Sequence, residues 1–443
     1  MFDLALWYSP EESFYVFKPD CNANVLNFHR KTLLTLLALV PPVTLYLSIS
    51  NIWPKRELHL PHFKVVKAHP FNTDRPVTRL WRLPQAESEV RQVVFAKVHK
   101  AASSTVQNIL LRFAVFRDLN VLLADRQLHL NERDGTIKKI IPHPEGEGKP
   151  FDILCSHFNY NASEIARFFP DSAARVAILR EPLKQSVSAL AYYSTKYPSK
   201  ILKRGLRKYS TDPINGFLRH PEDFYDFNKS ATYSYLNNRM SVDLGFDLKS
   251  FEAGKRNMTK IQDFIKQVEG QFDLVLISDY FNESMVLLRR YLNWAMKDII
   301  YIKRNAAKFG VDSVWRRDIV LNATELETFR KWDLVDYKLY EYFKPVFLST
   351  IEREHLFKEE VSAYEDILKE VAKFCLTDAI KQKILHISKS EWTEEFAVTE
   401  FDCELMLFGE VKFLSYAKRL QRIRFQHAIR KSVGGKNSKV VGN

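Results

Sequence analysis

The sequence predicts an α/β protein in which a parallel sheet is flanked by helices and preceded by an N-terminal membrane anchor. Two observations lead there. Four short apolar runs, Val93–Val98, Phe151–Cys155, Arg175–Leu179 and Asp273–Ile277, alternate with stretches whose apolar residues recur at helical spacing. Strands separated by helices need crossover connections, which cover both faces of a parallel sheet. Upstream of all of them, Thr32–Pro54 contains no charged residue, and an apolar run of that length can span a bilayer.

The anchor comes first along the chain. Its core, Leu33–Ile49, is followed by Ile52 and Trp53 at an interfacial position. Pro41 and Pro42 would kink a helix, which bilayers tolerate when neighbours satisfy the freed carbonyls. About 30 residues precede the run and no small-residue cleavage site follows it, so an uncleaved anchor is expected rather than a removed signal peptide. Flanking charge is nearly balanced, Arg30 and Lys31 before against Lys55 and Arg56 after. The glycosylation sequons are not balanced: those at Asn161, Asn228, Asn257, Asn282 and Asn322 all follow the run. The expected organisation is a cytoplasmic tail (1–31), an anchor (32–54), a Pro-spotted stem (55–90), a lumenal domain (91–417) and a basic C-terminal tail (418–443), in type II topology.

Next come the strand at Val93–Val98 and a helical pattern from Ser104 to about Leu119, with Val106, Ile109, Leu110, Phe113 and Phe116 on one face. Further helical patterns run over Met285–Trp294 and Leu326–Phe343. With 443 residues, 46% of them hydrophobic, the chain can bury one large core or two smaller ones. Only 13 Gly and 18 Pro exclude a collagenous or low-complexity protein.

The net charge of +13 favours anionic partners: nucleic acid, lipid, or small phosphate- and sulfate-bearing ligands. No zinc spacing, RNA-binding signature or basic helix with heptads supports nucleic acid. The four cysteines, Cys21, Cys155, Cys375 and Cys403, are too few for a disulfide scaffold and form no CxxC pair. In an oxidising lumen Cys375 and Cys403 are expected to pair, while Cys155, inside a strand, stays a buried thiol.

Two stretches carry candidate chemistry. In Lys97–Leu110 a strand runs into a turn of small and hydroxyl residues, Lys100, Ala101, Ala102, Ser103, Ser104 and Thr105, and a helix starts at once. Such a turn presents backbone N–H groups and a positive helix end to an anion. An N-capped helix with no ligand is the structural alternative. The G-x-x-x-x-G-K pattern of a nucleotide-triphosphate loop is absent. In Leu179–Ser188, at the end of another strand, Arg180 can grip a phosphate bidentately and Ser188, two helical turns on, can donate to it.

Together these stretches resemble the paired phosphate sites of sulfotransferases, and more specifically the galactose 3-O-sulfotransferase family. The similar segments are His99–Leu110, Ile178–Ala189, Phe217–Tyr225, Asn237–Asp247 and Phe272–Trp294, within a resemblance spanning roughly Val93–Ile351. The chain has Met240-Ser241 where the family leads one to expect an aromatic. The resemblance implies a P-loop-like sulfotransferase fold and a Golgi enzyme that moves a sulfuryl group from 3′-phosphoadenosine 5′-phosphosulfate to a galactose 3-hydroxyl on a glycolipid or glycan. It places the 5′-phosphosulfate at Lys100 and Ser103–Thr105, and the 3′-phosphate at Arg180 and Ser188.

Sulfuryl transfer, like phosphoryl transfer, needs charge stabilisation and in-line positioning, and no metal is expected. Lys100 should neutralise charge on the leaving oxygen, and a base must take the hydroxyl proton. His157, just past the strand Phe151–Cys155, and His99, beside Lys100, both qualify, with His157 slightly favoured. Tyr192, Tyr193 and Tyr197 could stack on a sugar or adenine, and Lys303-Arg304-Asn305 could close over the site. Two alternatives fit the anchor and sequons: a type II glycosyltransferase, although no Asp-any-Asp motif occurs, and an inactive glycolipid-binding relative.

Overall fold

The computed structural model describes residues 88–130, 135–227, 235–254, 256–303, 319–377 and 384–437, with side chains up to residue 430. The expected cytoplasmic tail, anchor and most of the stem lie outside the described residues, as do Asn228 and the segment from Arg304 to residue 318. Among the described residues no helix is long and apolar enough to cross a membrane.

The four apolar runs form one parallel sheet. Its strands are β1 (Val93–Ala96), β2 (Ile153–Leu154), β3 (Ala174–Leu179) and β4 (Leu274–Ile277), in the spatial order β2-β1-β3-β4. Register is set by Val93 opposite Ile153 and Ala174, and by Val176 opposite Leu274. Every residue of β1 and β4 is buried, so these strands read as continuous apolar runs rather than alternating ones.

The helices used below are α1 (Ser103–Phe116), α2 (Pro182–Lys196), α3 (Arg239–Asp243), α4 (Phe281–Leu292), α5 (Leu334–Arg353), α6 (Phe357–Leu376), α7 (Glu400–Leu407) and α8 (Glu410–Asn437). Helix α1 packs on β2, and α4 and α5 pack on β4. The continuous helix expected over Leu326–Phe343 is instead two, Ala323–Trp332 and α5, divided at Asp333. That carboxylate is drawn out of the helical pattern, accepting hydrogen bonds from the Asn238 amide at 2.6 Å and the Ser186 hydroxyl at 3.3 Å.

The C-terminal part departs most from expectation. A short antiparallel pair, β5 (Ile384–Ile387) and β6 (Phe396–Thr399), leads into α7 and α8. Residues from Lys418 onward, expected as a solvated basic tail, continue α8, which lies against α1. Gln421 is wholly buried and accepts from the Val121 amide at 2.9 Å, and Lys418 donates to the Gln127 carbonyl at 2.8 Å. Buried polar groups so satisfied are part of the core, whatever the charge around them. Cys375 and Cys403 are disulfide-bonded, tying α6 to α7, and Cys155 is a buried free thiol, both as expected.

Candidate active site

The turn between β1 and α1 lies at the carboxyl ends of adjacent parallel strands, where ligands of open α/β sheets bind. Lys100 and Ala102 both take a left-handed backbone, φ 60°. That conformation is costly for residues with a Cβ and clusters at ligand sites. Ala102 is the N-cap of α1 and has no side chain to bond the first-turn N–H groups. Ser103, expected to face the ligand, is buried and donates to the Val98 carbonyl at 2.5 Å, bracing the turn from within. Ser104 is exposed and free of that duty. The turn thus keeps backbone donors, the Ser104 hydroxyl and Lys100 at its open side.

The second motif holds the first in place. Arg180, one residue past β3, donates to the Lys100 carbonyl at 3.0 Å, and Gln185 donates to the His99 carbonyl at 3.0 Å. Asp279, just past β4, accepts from the Glu181 amide at 2.8 Å and pairs with Lys184 at 2.7 Å. Three adjacent strand ends therefore fix one cationic corner. Burial, and then the neighbouring Arg180, lowers the Lys100 ammonium to about 8. Its charge lies over the Tyr192 ring, 4.1 Å from the centroid. Ser188 is half-buried on α2. Tyr193 is buried and stacked on Tyr235 with ring centroids 4.2 Å apart, whereas Tyr197 is 66% exposed.

Beside this corner lies a stack of imidazoles. The His99 and His157 rings are parallel within 15° at 3.9 Å, and His129 lies 5.2 Å from His157 and 6.0 Å from His99. Both base candidates therefore occupy one site. Their surroundings differ. His99 Nδ1 is 2.8 Å from Asp243 Oδ2, and the same carboxylate accepts from the His99 amide at 2.7 Å. Arg239 Nε also lies 3.3 Å from Nδ1, but the carboxylate is closer and would repel a lone pair at 2.8 Å, so we assign the proton to Nδ1 and the free pair to Nε2. Arg239 binds Asp243 from the next turn of α3. Burial comes first and Arg239 second in holding His99 well below the usual imidazole range, so it is neutral at pH 7.

His157 is also neutral, since burial first, and then the adjoining His99 and Lys97, depress it too. Its Nε2, however, accepts from Lys97 Nζ at 2.8 Å, which puts the proton on Nδ1. Nδ1 is buried with no hydrogen-bond partner among the described residues. In this arrangement the lone pair of His157 is engaged by a lysine.

Sequence reasoning missed Lys97, Arg239, Asp243 and Glu410. Lys97 is 1% exposed, and its ammonium is bound by His157 and by Glu410 at 2.6 Å. Its spacing was a usable signal: at the end of a strand, residues 97 and 99 point to the same side. Arg239 and Asp243 stand at i, i+4 in α3, another legible pairing. Positioning them requires Gly245, whose φ is +96° and where a Cβ would lie 2.5 Å from the Tyr160 carbonyl oxygen. Glu410 begins α8, more than 300 residues from the turn, and no local pattern marks it.

The family profile described as galactose-3-O-sulfotransferase matches residues 22–390. The chain belongs to the galactose-3-O-sulfotransferase family. It is 30% identical over 308 residues to mouse galactose-3-O-sulfotransferase 2, covering 68% of this chain and 74% of that protein. With human galactose-3-O-sulfotransferase 2 it shares 33% over 302 residues, 66% of this chain and 70% of the relative. Mouse galactosylceramide sulfotransferase is 30% identical over 275 residues, 61% and 60% of the two chains. This member is accordingly a galactose 3-O-sulfotransferase-like enzyme. Glu410 lies beyond the residues the family profile matches.

Proposed function

We propose that this enzyme takes its sulfuryl group from 3′-phosphoadenosine 5′-phosphosulfate and places it on the 3-hydroxyl of a terminal galactose in a glycolipid or glycan. It does so as a type II protein of the Golgi membrane with its catalytic domain in the lumen. The uncharged run Thr32–Pro54 and the sequons downstream of it support that placement.

One observation carries the chemistry: Arg180 bonds the Lys100 carbonyl while Asp243 holds His99 on the preceding residue of the same turn. An anion corner and an oriented imidazole are thereby built into one stretch of backbone. The left-handed turn and the uncapped start of α1 take the phosphosulfate, and Arg180 and Ser188 the 3′-phosphate. Lys100 and Lys97 stabilise negative charge as the adenosine bisphosphate leaves. His99, its tautomer fixed by Asp243, accepts the proton of the attacking hydroxyl at Nε2. His157 orients Lys97 and stacks against His99. Tyr197 offers an exposed ring to the sugar.

Incubating the enzyme with radiolabelled donor and a panel of acceptors tests this reading. Label should enter acceptors with terminal galactose, and not those whose galactose 3-hydroxyl is blocked. Equal labelling of the blocked acceptors would overturn the positional assignment.

A further inference from the structure

The first residue of α8 reaches into the donor corner. Glu410 Oε1 lies 2.6 Å from Lys97 Nζ and 3.6 Å from His157 Nε2, and Oε2 accepts from Ser104 Oγ at 3.2 Å. The Lys97 side chain is wholly buried, and Glu410 is 24% exposed. A buried ammonium needs a counter-charge, and Glu410 supplies it. Ser104 and Lys97 are also the groups that an anionic donor would claim at the mouth of this turn. Two anions cannot share them, because like charges in a poorly hydrated corner repel strongly.

The stretches on either side of Glu410 are anchored by contacts that do not involve its carboxylate. Behind Glu410, Cys403 is disulfide-bonded to Cys375, and the Leu405 carbonyl accepts from Asn108 at 2.9 Å. Ahead of it, Lys418, Gln421 and Arg422 are bonded to the segment between Val121 and Gln127. Glu410 sits between these two anchored stretches, on the first turn of the helix.

We propose that Glu410 is a donor-site residue acting as an internal competitor: its carboxylate occupies the anion position between Lys97 and Ser104 and yields it to the incoming donor. The residue thereby sets donor affinity and helps the bisphosphate product to leave. Glu410 is not the proton acceptor, since both its oxygens are engaged, one by Lys97 and the other by Ser104. The proposal rests on the donor reading above.

The test measures binding of adenosine 3′,5′-bisphosphate by calorimetry, together with turnover at saturating donor. Glu410→Gln should bind about tenfold more tightly than wild type, a typical size for coupling between competing contacts, and should release the bisphosphate more slowly. Unchanged or weaker binding overturns the proposal. So does a hundredfold loss of turnover at unchanged affinity, which would make Glu410 the base. If the glutamine variant fails to fold, Glu410→Asp withdraws the same charge by one methylene; it should bind more tightly than wild type, and equal or weaker binding overturns the proposal. Wild type that binds no bisphosphate refutes the donor reading as well, whereas wild-type binding without a gain in the variants refutes the competitor alone.

Discussion

The turn that follows β1 and the imidazole stack beside it share residues, yet they are assembled in opposite ways. The turn is local: Lys100, Ala102 and Ser104 stand within one short stretch, shaped by two left-handed residues and an internal Ser103 hydrogen bond. The stack is long-range. His99 meets His157 from the strand β2 loop, Asp243 from α3 and, through Lys97, Glu410 from α8. A local device tolerates drift elsewhere in the fold. A long-range one requires the whole domain to be folded before its groups meet. The shape of the turn can thus be set by a few residues, although Arg180 and Gln185 clamp it from β3 and α2, whereas the imidazole stack depends on tertiary structure throughout.

The largest effect should come from the long-range half. Replacing His99 by Ala removes the oriented imidazole and should lower kcat by about 10² to 10⁴, while bisphosphate affinity stays within a few-fold of wild type. Asp243→Asn, which leaves the ring but not its tautomer, should follow in the same direction. His157→Ala should cost less turnover, because its lone pair is held by Lys97. Single-turnover rates of the variants decide it: a near-wild-type His99→Ala beside an inactive His157→Ala would reverse the two roles.

A smaller effect, of a different kind, is expected where the turn is clamped from β3. Arg180→Ala removes a charged donor and frees the Lys100 carbonyl it holds. It should weaken bisphosphate binding by about 2 kcal/mol, the usual scale for a hydrogen bond to a charged group. Calorimetry on Arg180→Ala and His99→Ala side by side sharpens the contrast, since affinity should fall in the first and turnover in the second. Unchanged affinity in Arg180→Ala would break the assignment of the 3′-phosphate.

The same division explains what could be read from sequence. The strands announced themselves because fully buried parallel strands are unbroken apolar runs: Arg175–Leu179 was expected and Ala174–Leu179 is found. The expected Phe151–Cys155 is paired over only Ile153 and Leu154, at the edge of the sheet. The strand, turn and helix start around Lys100 were legible because small and hydroxyl residues between an apolar run and a helical pattern mark such a turn. Asp243 and Glu410 were not, because a carboxylate looks the same in sequence whether it faces water or a buried lysine. The docking of α8 was hidden by its composition: Lys418 and Gln421 read as polar surface, and it is their bonds to the Gln127 carbonyl and the Val121 amide on the opposing loop that make them core.

The smallest expected effect is a pH dependence, and its sign follows from which half titrates. Burial and Arg180 bring Lys100 down from 10.5 to about 8, so its charged form is the one the fold disfavours. Below pH 8 the turn keeps its cation; as pH rises through about 8 the free enzyme loses it. The value of kcat/KM for the donor should therefore be halved near pH 8 and fall about tenfold for each further pH unit. A bound anion favours the protonated lysine, so kcat at saturating donor should hold to higher pH. On the acid side, His99 is held below the ordinary imidazole range, and no loss is expected until the pH drops well under 6.5. Lys100→Arg distinguishes the lysine from any other alkaline group, because a guanidinium stays charged throughout. Its profile should lose the limb near pH 8, and a limb that persists in that variant would move the titrating group away from the turn.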